Sequence, residues 1–249
     1  MRCELLKRAV RILEAVLTPR RRRVHFGAER LTLVRSVWWD DTGQDIFDVE
    51  IVPYFDALTK ESCPRVILDA GAATGHFAVA AARRFPEASI VCFEPSFRQR
   101  LLLQRNARLN HVQRRVRIQR EALWNKAGHL KFRTHGGISS LEAVGLLPRH
   151  LPFEETVRTM TLDDWCDDQA PAAIDLIKMD IEGAELEVLE GAARSLEKFR
   201  PELVIQAYHL RDGSRTLERC ARLLGMIGYE CVERRPPSGL LHARPALCR

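Results

Sequence analysis

Apolar and polar residues are patterned in two different ways along the chain, and the change falls near residue 62. Beyond it, short apolar runs typical of buried parallel strands are separated by stretches with the spacing of amphipathic helices. The predicted strands are 66–68, 89–93, 116–123, 174–179 and 203–207, and the predicted helices are 76–85, 97–110, 184–196 and 214–227. Strands that alternate with helices form βαβ units, so the sequence predicts a doubly wound α/β fold with a mostly parallel sheet.

Shorter strands surround this series. They are predicted at 130–133, 157–162, 229–233 and 240–247. The first two flank a long predicted loop that contains Ser139 and Ser140. The last two are predicted to form a hairpin that closes the sheet.

The first 62 residues lack this regular alternation. They combine an amphipathic helix predicted over 1–17 with strand-like character over 24–37. We therefore expect 1–62 to form an N-terminal extension or lid, and 63–249 to form the main domain.

The chain is basic, with 39 Lys and Arg against 33 Asp and Glu, for a net charge of +6. A basic balance suggests nucleic-acid binding, but the arginines are scattered over predicted helices and aromatic residues make up only 7%. We therefore expect no nucleic-acid partner. The run Arg20–Arg23 follows the predicted N-terminal helix, and this arrangement predicts weak peripheral contact with an anionic membrane surface.

The remaining composition bears on location. No apolar run approaches the roughly 20 residues of a transmembrane helix, and charged residues interrupt the N-terminal stretch where a signal peptide needs an apolar core. The seven cysteines are odd in number and lack zinc-finger spacing, which predicts free thiols in a reducing compartment. Together these features predict a cytoplasmic protein.

Candidate chemistry lies where the strands end, because ligands bind at the carboxyl ends of the strands in such sheets. The first strand leads into a D-x-G-x-x-x-G turn from Asp69 to Gly75, and Glu94 ends the second strand. Gly71 and Gly75 allow the backbone to approach a ligand closely. A carboxylate about 20 residues beyond a glycine turn can accept both hydroxyls of a ribose. The turn lacks the three glycines of a dinucleotide site and the G-K-[ST] ending of a P-loop.

The acid that begins this turn indicates the cofactor. Asp69 would repel a phosphate and attract a cation, which favours S-adenosylmethionine, whose sulfonium and amino groups are positive. The predicted cofactor contacts are Asp69 and Gly71 at the methionine end, Ala72 and Gly75 in the same turn, Glu94 at the ribose, and Glu121 and Ala122 at the adenine.

The fourth core strand ends in alternating charges. Lys178, Asp180 and Glu182 are separated by apolar residues. Side chains in a strand alternate between its two faces, so these three are predicted to share one face if the strand continues that far. His209 follows the next strand and is expected beside them.

Two mechanisms are open for these four residues. In the first, Asp180 or His209 is the general base that removes a proton from an acceptor hydroxyl, while Glu182 and Lys178 orient the substrate or each other. In the second, Asp180, Glu182 and His209 hold a divalent cation, because oxygen-rich sites suit Mg²⁺ or Mn²⁺.

These strand ends resemble those of the FkbM methyltransferases, a class I, S-adenosylmethionine-dependent family. The matching segments are 66–75, Phe93-Glu94-Pro95, 106–110, Ser139-Ser140-Leu141, 161–165, 177–191 and Arg200-Pro201. The resemblance covers about 64–210, and the run from Lys178 to Gly183 is its most specific part. It implies a Rossmann-like sheet and methylation of a hydroxyl on a sugar, a glycan or a natural-product small molecule. Gln206 departs from the family, in which an acid is expected before the Tyr-His pair.

Two other functions stay open at this point. A nicotinamide-dependent oxidoreductase uses a similar sheet, and a non-catalytic module would keep only the cofactor pocket. The residues do not distinguish among acceptors.

Overall fold

The computed structural model describes residues 21–34, 43–59, 61–135, 138–141, 153–211, 213–234, 236 and 238–246. The helix predicted over 1–17 lies outside the described residues. Arg21–Arg23 of the basic run form the start of the first strand, and the membrane contact stays a prediction. Strands β1 to β15 are, in chain order, Arg21–Phe26, Glu29–Val34, Val66–Ala70, Ser89–Phe93, Val116–Gln119, Ala122–Leu123, Gly128–His135, Ile138–Leu141, Phe153–Met160, Leu176–Met179, Glu202–Gln206, Leu210–Arg211, Ser214–Arg215, Tyr229–Arg234 and Leu240–Pro245. Helices α1 to α8 are Gly43–Glu50, Val52–Ala57, His76–Arg84, Phe97–Leu109, Leu162–Gln169, Glu185–Glu190, Ala193–Phe199 and Thr216–Met226.

The central sheet has the strand order β14-β15-β11-β10-β3-β4-β5. The five strands from β11 to β5 run parallel, whereas β15 is antiparallel to both β11 and β14. This confirms the predicted α/β fold and the C-terminal hairpin that closes its sheet. β4 lies on one side of β3 and β10 on the other, so the strand order reverses at β3. Ligands bind at such a switch point in doubly wound sheets.

The two faces of the sheet bury alternate residues of the same strands. Ile67 of β3 and Leu176 of β10 belong to an apolar cluster shared with the β1–β2 hairpin and with α1 to α3. Their neighbours Leu68 and Ile177 face the opposite cluster, which contains residues of α5 to α8. Both faces are therefore covered, as expected for continuous apolar strands.

The N-terminal segment contributes two helices, α1 and α2, that were not predicted from the sequence. Phe47, Ile51, Tyr54 and Phe55 of this segment are buried in the first cluster. Their spacing of four, seven and eight residues is that of one helix face, so the signal was present. Pro53 sits in the first turn of α2, where its missing N–H costs no hydrogen bond.

Several predicted boundaries were wrong for identifiable reasons. The strand predicted over 116–123 divides into β5 and β6, and β6 joins a second sheet of order β6-β9-β7-β8. The helix predicted over 184–196 breaks at Gly191, where a Cβ would collide with the backbone of Trp124.

The predicted strand 157–162 ends at Met160, because Thr161 caps α5 by accepting a hydrogen bond from the Asp164 N–H. Ser139 and Ser140 lie in β8, paired with β7, rather than in a loop.

Two composition-based expectations can be compared with the structure. Among the described residues, no helix is both long enough and apolar enough to cross a membrane. The cysteines that the structure describes are free thiols: Cys63, Cys92, Cys166, Cys220 and Cys231.

Candidate active site

A cavity of about 1020 Å³ opens at the carboxyl ends of the central strands. Its walls come from the turn after β3, the end of β4, the segments after β10 and β11, and the N-terminal helices α1 and α2. Ligand pockets in proteins span roughly 300–1,000 Å³. The volume lies at the upper end of that range, which is large enough for a nucleoside-sized cofactor.

A buried ion pair lies beneath this cavity. Asp69 and Lys178 are direct neighbours in the register of β3 and β10, and the Lys178 Nζ is 3.0 Å from an Asp69 oxygen. The Lys178 Nζ also donates a hydrogen bond to the Gly71 carbonyl. Burial alone would lower the pKa of Lys178, but the charges of Asp69 and Asp180 outweigh it and raise that pKa. Lys178 is therefore a cation that ties the glycine turn to the neighbouring strand.

The glycine turn depends on this close approach. Gly71 has a φ of +74°, and a Cβ at this position would collide with the Asp180 carbonyl oxygen. Gly75 has a φ of +78°, and its Cβ would lie 2.7 Å from the Leu103 side chain. Glycine is thus required at both positions by conformation and by space. Gly71 lets the ends of β3 and β10 meet, whereas Gly75 lets α3 start against α4.

Glu94 is fixed at the end of β4 by its own neighbourhood. One carboxylate oxygen accepts a hydrogen bond from the Ala73 N–H and the other from the Ser96 N–H, both at 2.8 Å. Burial raises the pKa of Glu94 to about 7, although these two hydrogen bonds and Arg100 oppose the shift. Each carboxylate oxygen can accept more than one hydrogen bond, so Glu94 can still bind the hydroxyls of a ligand in the cavity.

Asp180 follows β10 and lines the cavity. Its backbone N–H donates to the Ala70 carbonyl, and its Oδ2 accepts a hydrogen bond of 2.9 Å from the Tyr54 hydroxyl. Asp180 therefore joins the switch point of the sheet to helix α2.

Glu182 and His209 form a second pair at the cavity. The Glu182 carboxylate lies 3.0 Å from His209 Nε2, and His209 Nδ1 lies 4.0 Å from a carboxylate oxygen of the buried Glu185. Burial would lower the pKa of His209, but its hydrogen bond to Glu182 and the charge of Glu185 raise it above its ordinary value. The hydrogen bond to Glu182 therefore favours the protonated form of His209. Tyr208 packs on the same ring, with centroids 4.1 Å apart.

The structure brings most of the predicted site residues to one cavity. Those that line it are Gly71, Ala72, Glu94, Ala122, Lys178, Asp180 and Glu182, and those that do not are Asp69, Gly75, Glu121 and His209. Asp69 lies behind the turn, Gly75 begins α3, and His209 stands behind Glu182. Glu121 faces the arginines of positions 120 and 158 instead.

One expectation about the end of β10 needs correction. The strand ends at Met179, so Lys178, Asp180 and Glu182 do not share a face by strand alternation. Glu182 instead occupies a turn with a φ of +54°, and it meets Lys178 and Asp180 only at the cavity. Gln206, where an acid was expected, donates from Nε2 to the Ser238 carbonyl, a hydrogen bond that a carboxylate cannot make.

The second mechanism, in which Asp180, Glu182 and His209 hold a divalent cation, stays a prediction. Within the described ranges, no group of three or more His, Cys, Asp or Glu side chains is arranged to hold a metal ion. In this structure Asp180 is hydrogen-bonded to Tyr54 and Glu182 to His209.

Several residues of this site were not predicted from the sequence. Tyr54 and the acidic side chains of α1 and α2 come from the segment read only as an extension or lid. Glu185 lies within the matched run but gave no signal beyond a helical position. Only the apolar spacing of 47–55 pointed to helices above the cavity.

The fold and the strand-end cavity define a class I methyltransferase-like architecture. Two solved structures are similar to it. The FkbM methyltransferase from Methylobacillus flagellatus has a TM-score of 0.53 and 20% identity, and the match covers 75% of this chain and 45% of that chain. The ribosomal protein L11 methylase from Lactobacillus delbrueckii subsp. bulgaricus has a TM-score of 0.50 and 14% identity, and the match covers 90% of this chain and 99% of that chain. At these identities the likeness shows the fold alone.

The sequence comparison is more specific. The family model for the methyltransferase FkbM domain matches residues 69–230, and the chain therefore belongs to the FkbM methyltransferase family. It is 32% identical over 153 residues to the 2-O-methyltransferase NoeI of Sinorhizobium fredii, covering 54% of this chain and 60% of that protein. It is 31% identical over 165 residues to the methyltransferase sdnD of Sordaria araneosa, covering 55% and 63%. The matches thus span less than two thirds of either relative.

Proposed function

We propose that this protein is an S-adenosylmethionine-dependent O-methyltransferase that acts on a hydroxyl group of a sugar, a glycan or a natural-product small molecule. One observation carries the proposal: Glu94 and the glycine turn share a single cavity with the carboxylates of Asp180 and Glu182. Family membership supports methyl transfer over the oxidoreductase alternative. The 2-O-methyltransferase relative supports oxygen as the acceptor atom.

The residues of the cavity fit an adenosyl cofactor that carries a positive charge. Glu94 would bind the ribose hydroxyls, and the backbone of Gly71 and Ala72 would lie against the methionine part. The carboxylates that line the cavity favour a cation over a phosphate. When bound, S-adenosylmethionine supplies an activated methyl group. Asp69 would act through Lys178 and the turn rather than by contact.

Asp180 is the proposed general base. It lines the cavity, whereas His209 does not and is engaged with Glu182. A carboxylate beside the acceptor hydroxyl can take up its proton as the oxygen is methylated, which contributes roughly 10²–10⁴-fold to the rate. The Glu182–His209 pair would hold the acceptor through the part of the Glu182 carboxylate that is open to the cavity.

Incubation of the protein with S-adenosyl-[methyl-³H]methionine and fractionated carbohydrate and lipid extracts of its source cells tests this proposal. We expect label in a hydroxyl-bearing small molecule or glycan, and a loss of about 10²–10⁴-fold in Asp180→Asn. Asp168→Asn, which alters an exposed carboxylate of α5, is the matched control and should keep full activity. Wild-type turnover in both Asp180→Asn and His209→Ala would remove both residues from the mechanism.

Cofactor binding is tested separately by calorimetry with S-adenosylmethionine and with NADH. We expect tight binding of the first alone. Tight binding of NADH alone would restore the oxidoreductase alternative. Label that appears only in nucleic acid would contradict the proposed acceptor class.

A further inference from the structure

We propose that Tyr54 is a positioning residue for Asp180, so that helix α2 of the N-terminal segment completes the active site. The inference rests on the proposed function, since it assigns Tyr54 a role only through the reactive carboxylate. It extends the site beyond residues 69–230, to which the family model matches.

The contact between the two residues is direct and buried. The Tyr54 hydroxyl donates to Asp180 Oδ2 at 2.9 Å across 126 positions of sequence, and Tyr54 is only 3% exposed. Burial and the neighbouring Asp180 raise the pKa of Tyr54 well above its ordinary value. The phenol therefore stays protonated at neutral pH and acts as the donor.

The Tyr54 ring is held in place from two sides. It forms a T-shaped pair with Phe77 of α3, with ring centroids 5.7 Å apart, and the Lys178 ammonium lies 5.5 Å from the Tyr54 ring centroid. Edge-to-face aromatic pairs and cation–π contacts both restrict ring orientation. The direction of the hydroxyl is thus set by the same Lys178 that ties the glycine turn to β10.

The bond leaves one carboxylate oxygen of Asp180 available. Among the described residues, Asp180 Oδ2 accepts from Tyr54 and no donor bonds to Oδ1. Because Asp180 lines the cavity, a rotation fixed by Tyr54 presents Oδ1 to the acceptor hydroxyl. Misplacement of a reacting group by about 1 Å can cost 10²-fold in rate, so loss of this bond should be visible in turnover.

The test removes a single hydroxyl in two matched positions. Tyr54→Phe deletes the donor to Asp180 and keeps the ring. Tyr229→Phe deletes another buried hydroxyl, which bonds the Leu196 carbonyl away from the cavity. We expect Tyr54→Phe to lower the maximal rate of label transfer to the wild-type acceptor fraction by about 10–100-fold. The dissociation constant for S-adenosylmethionine and the urea midpoint should match those of Tyr229→Phe, which keeps the wild-type rate.

A second measurement needs no acceptor. In protein labelled with [4-¹³C]aspartate, the Asp180 carboxyl signal, assigned with Asp180→Asn, should shift at pH 7 in Tyr54→Phe and stay in place in Tyr229→Phe. A wild-type protein that transfers no label would overturn the proposed function, while this signal would still decide the contact. An unchanged Asp180 signal, or an unchanged maximal rate where the wild type is active, would overturn the role of Tyr54.

Discussion

The charged residues around the cavity fall into two layers with different environments. The inner charges, which we define as Asp69, Lys178 and Glu94, are at most 4% exposed and are held by each other or by backbone groups. The outer carboxylates, Asp180 and Glu182, are partly exposed and line the cavity. The inner charges therefore hold the strand ends together, although Glu94 and Lys178 also reach the cavity wall, and the outer carboxylates are the more exposed to a ligand.

This difference predicts different consequences of mutation. A change in the inner layer leaves a buried group without its partner, which costs stability. A change in the outer layer should lower mainly the rate of methyl transfer, as proposed for Asp180. Gly71 joins the two layers, because its turn touches the Asp180 carbonyl.

The largest effect is expected for Lys178→Met. It leaves the Asp69 carboxylate buried without its cation, and removal of one partner of a buried ion pair costs about 3–5 kcal/mol. Urea unfolding measures this loss. Asp69→Asn combined with Lys178→Met should recover part of it. Arg244→Met breaks an ion pair with Glu230 in which both side chains are more than half exposed, and should cost about 0–1 kcal/mol. Equal losses of unfolding free energy in Lys178→Met and Arg244→Met would contradict a stabilising role for the buried Asp69–Lys178 pair.

The next effect is expected at the joint between the layers. Gly71→Ala places a side chain in the left-handed region and against the Asp180 carbonyl, so it should both destabilise the protein and reduce methyl transfer. Gly27→Ala is the matched control, since Gly27 has a φ of +57° with nothing within 4 Å of the added Cβ. It should cost only the conformational term of about 1–2 kcal/mol and keep full transfer. Equal stability and equal methyl transfer in the two variants would contradict a role for the close contact between Gly71 and Asp180.

The same contrast explains what the sequence could predict. Strand β4 and its terminal Glu94 were predicted at the observed positions, because a short apolar run, a local turn and a fixed spacing determine them. Gly71 was identified for the same reason, because the conformation of a short local turn requires glycine at this position. The inner layer is thus encoded in short segments of sequence.

The outer layer is encoded differently. Tyr54 reaches Asp180 from 126 positions away, and no local pattern records that contact. Glu182 was predicted to share a strand face only if the strand continued that far, and its positive φ places it instead in a turn toward His209. The alternation of side chains along a strand does not indicate the residue at which the strand ends. The acceptor side of the site therefore follows from tertiary packing, above all of α2 on the sheet.

The last comparison concerns pH and two buried carboxyl groups whose pKa is raised to the same value. Burial raises the pKa of both Glu94 and Glu185 from 4.5 to about 7. Each group binds a proton more tightly in the folded state, so stability should fall as pH rises from about 4.5 to 7. The raised pKa of His209 adds a further loss above its unfolded value of 6.5. Glu185→Gln and Glu94→Gln should each flatten the fall in the free energy of unfolding measured between pH 5 and 8.

The two variants should differ in absolute stability above pH 7. Glu185 uses Oε1 to accept from the Gly183 N–H, and its buried Oε2 has no hydrogen-bond partner among the described residues. Glutamine preserves that bond and removes a buried charge, so Glu185→Gln should stabilise the protein by up to about 3 kcal/mol at pH 8. Both oxygens of Glu94 accept from backbone N–H groups, and the amide of glutamine would face one of them with a donor. Glu94→Gln should therefore gain little or nothing. A Glu185→Gln profile that follows the wild type across this range would contradict a buried, proton-binding Glu185 behind His209.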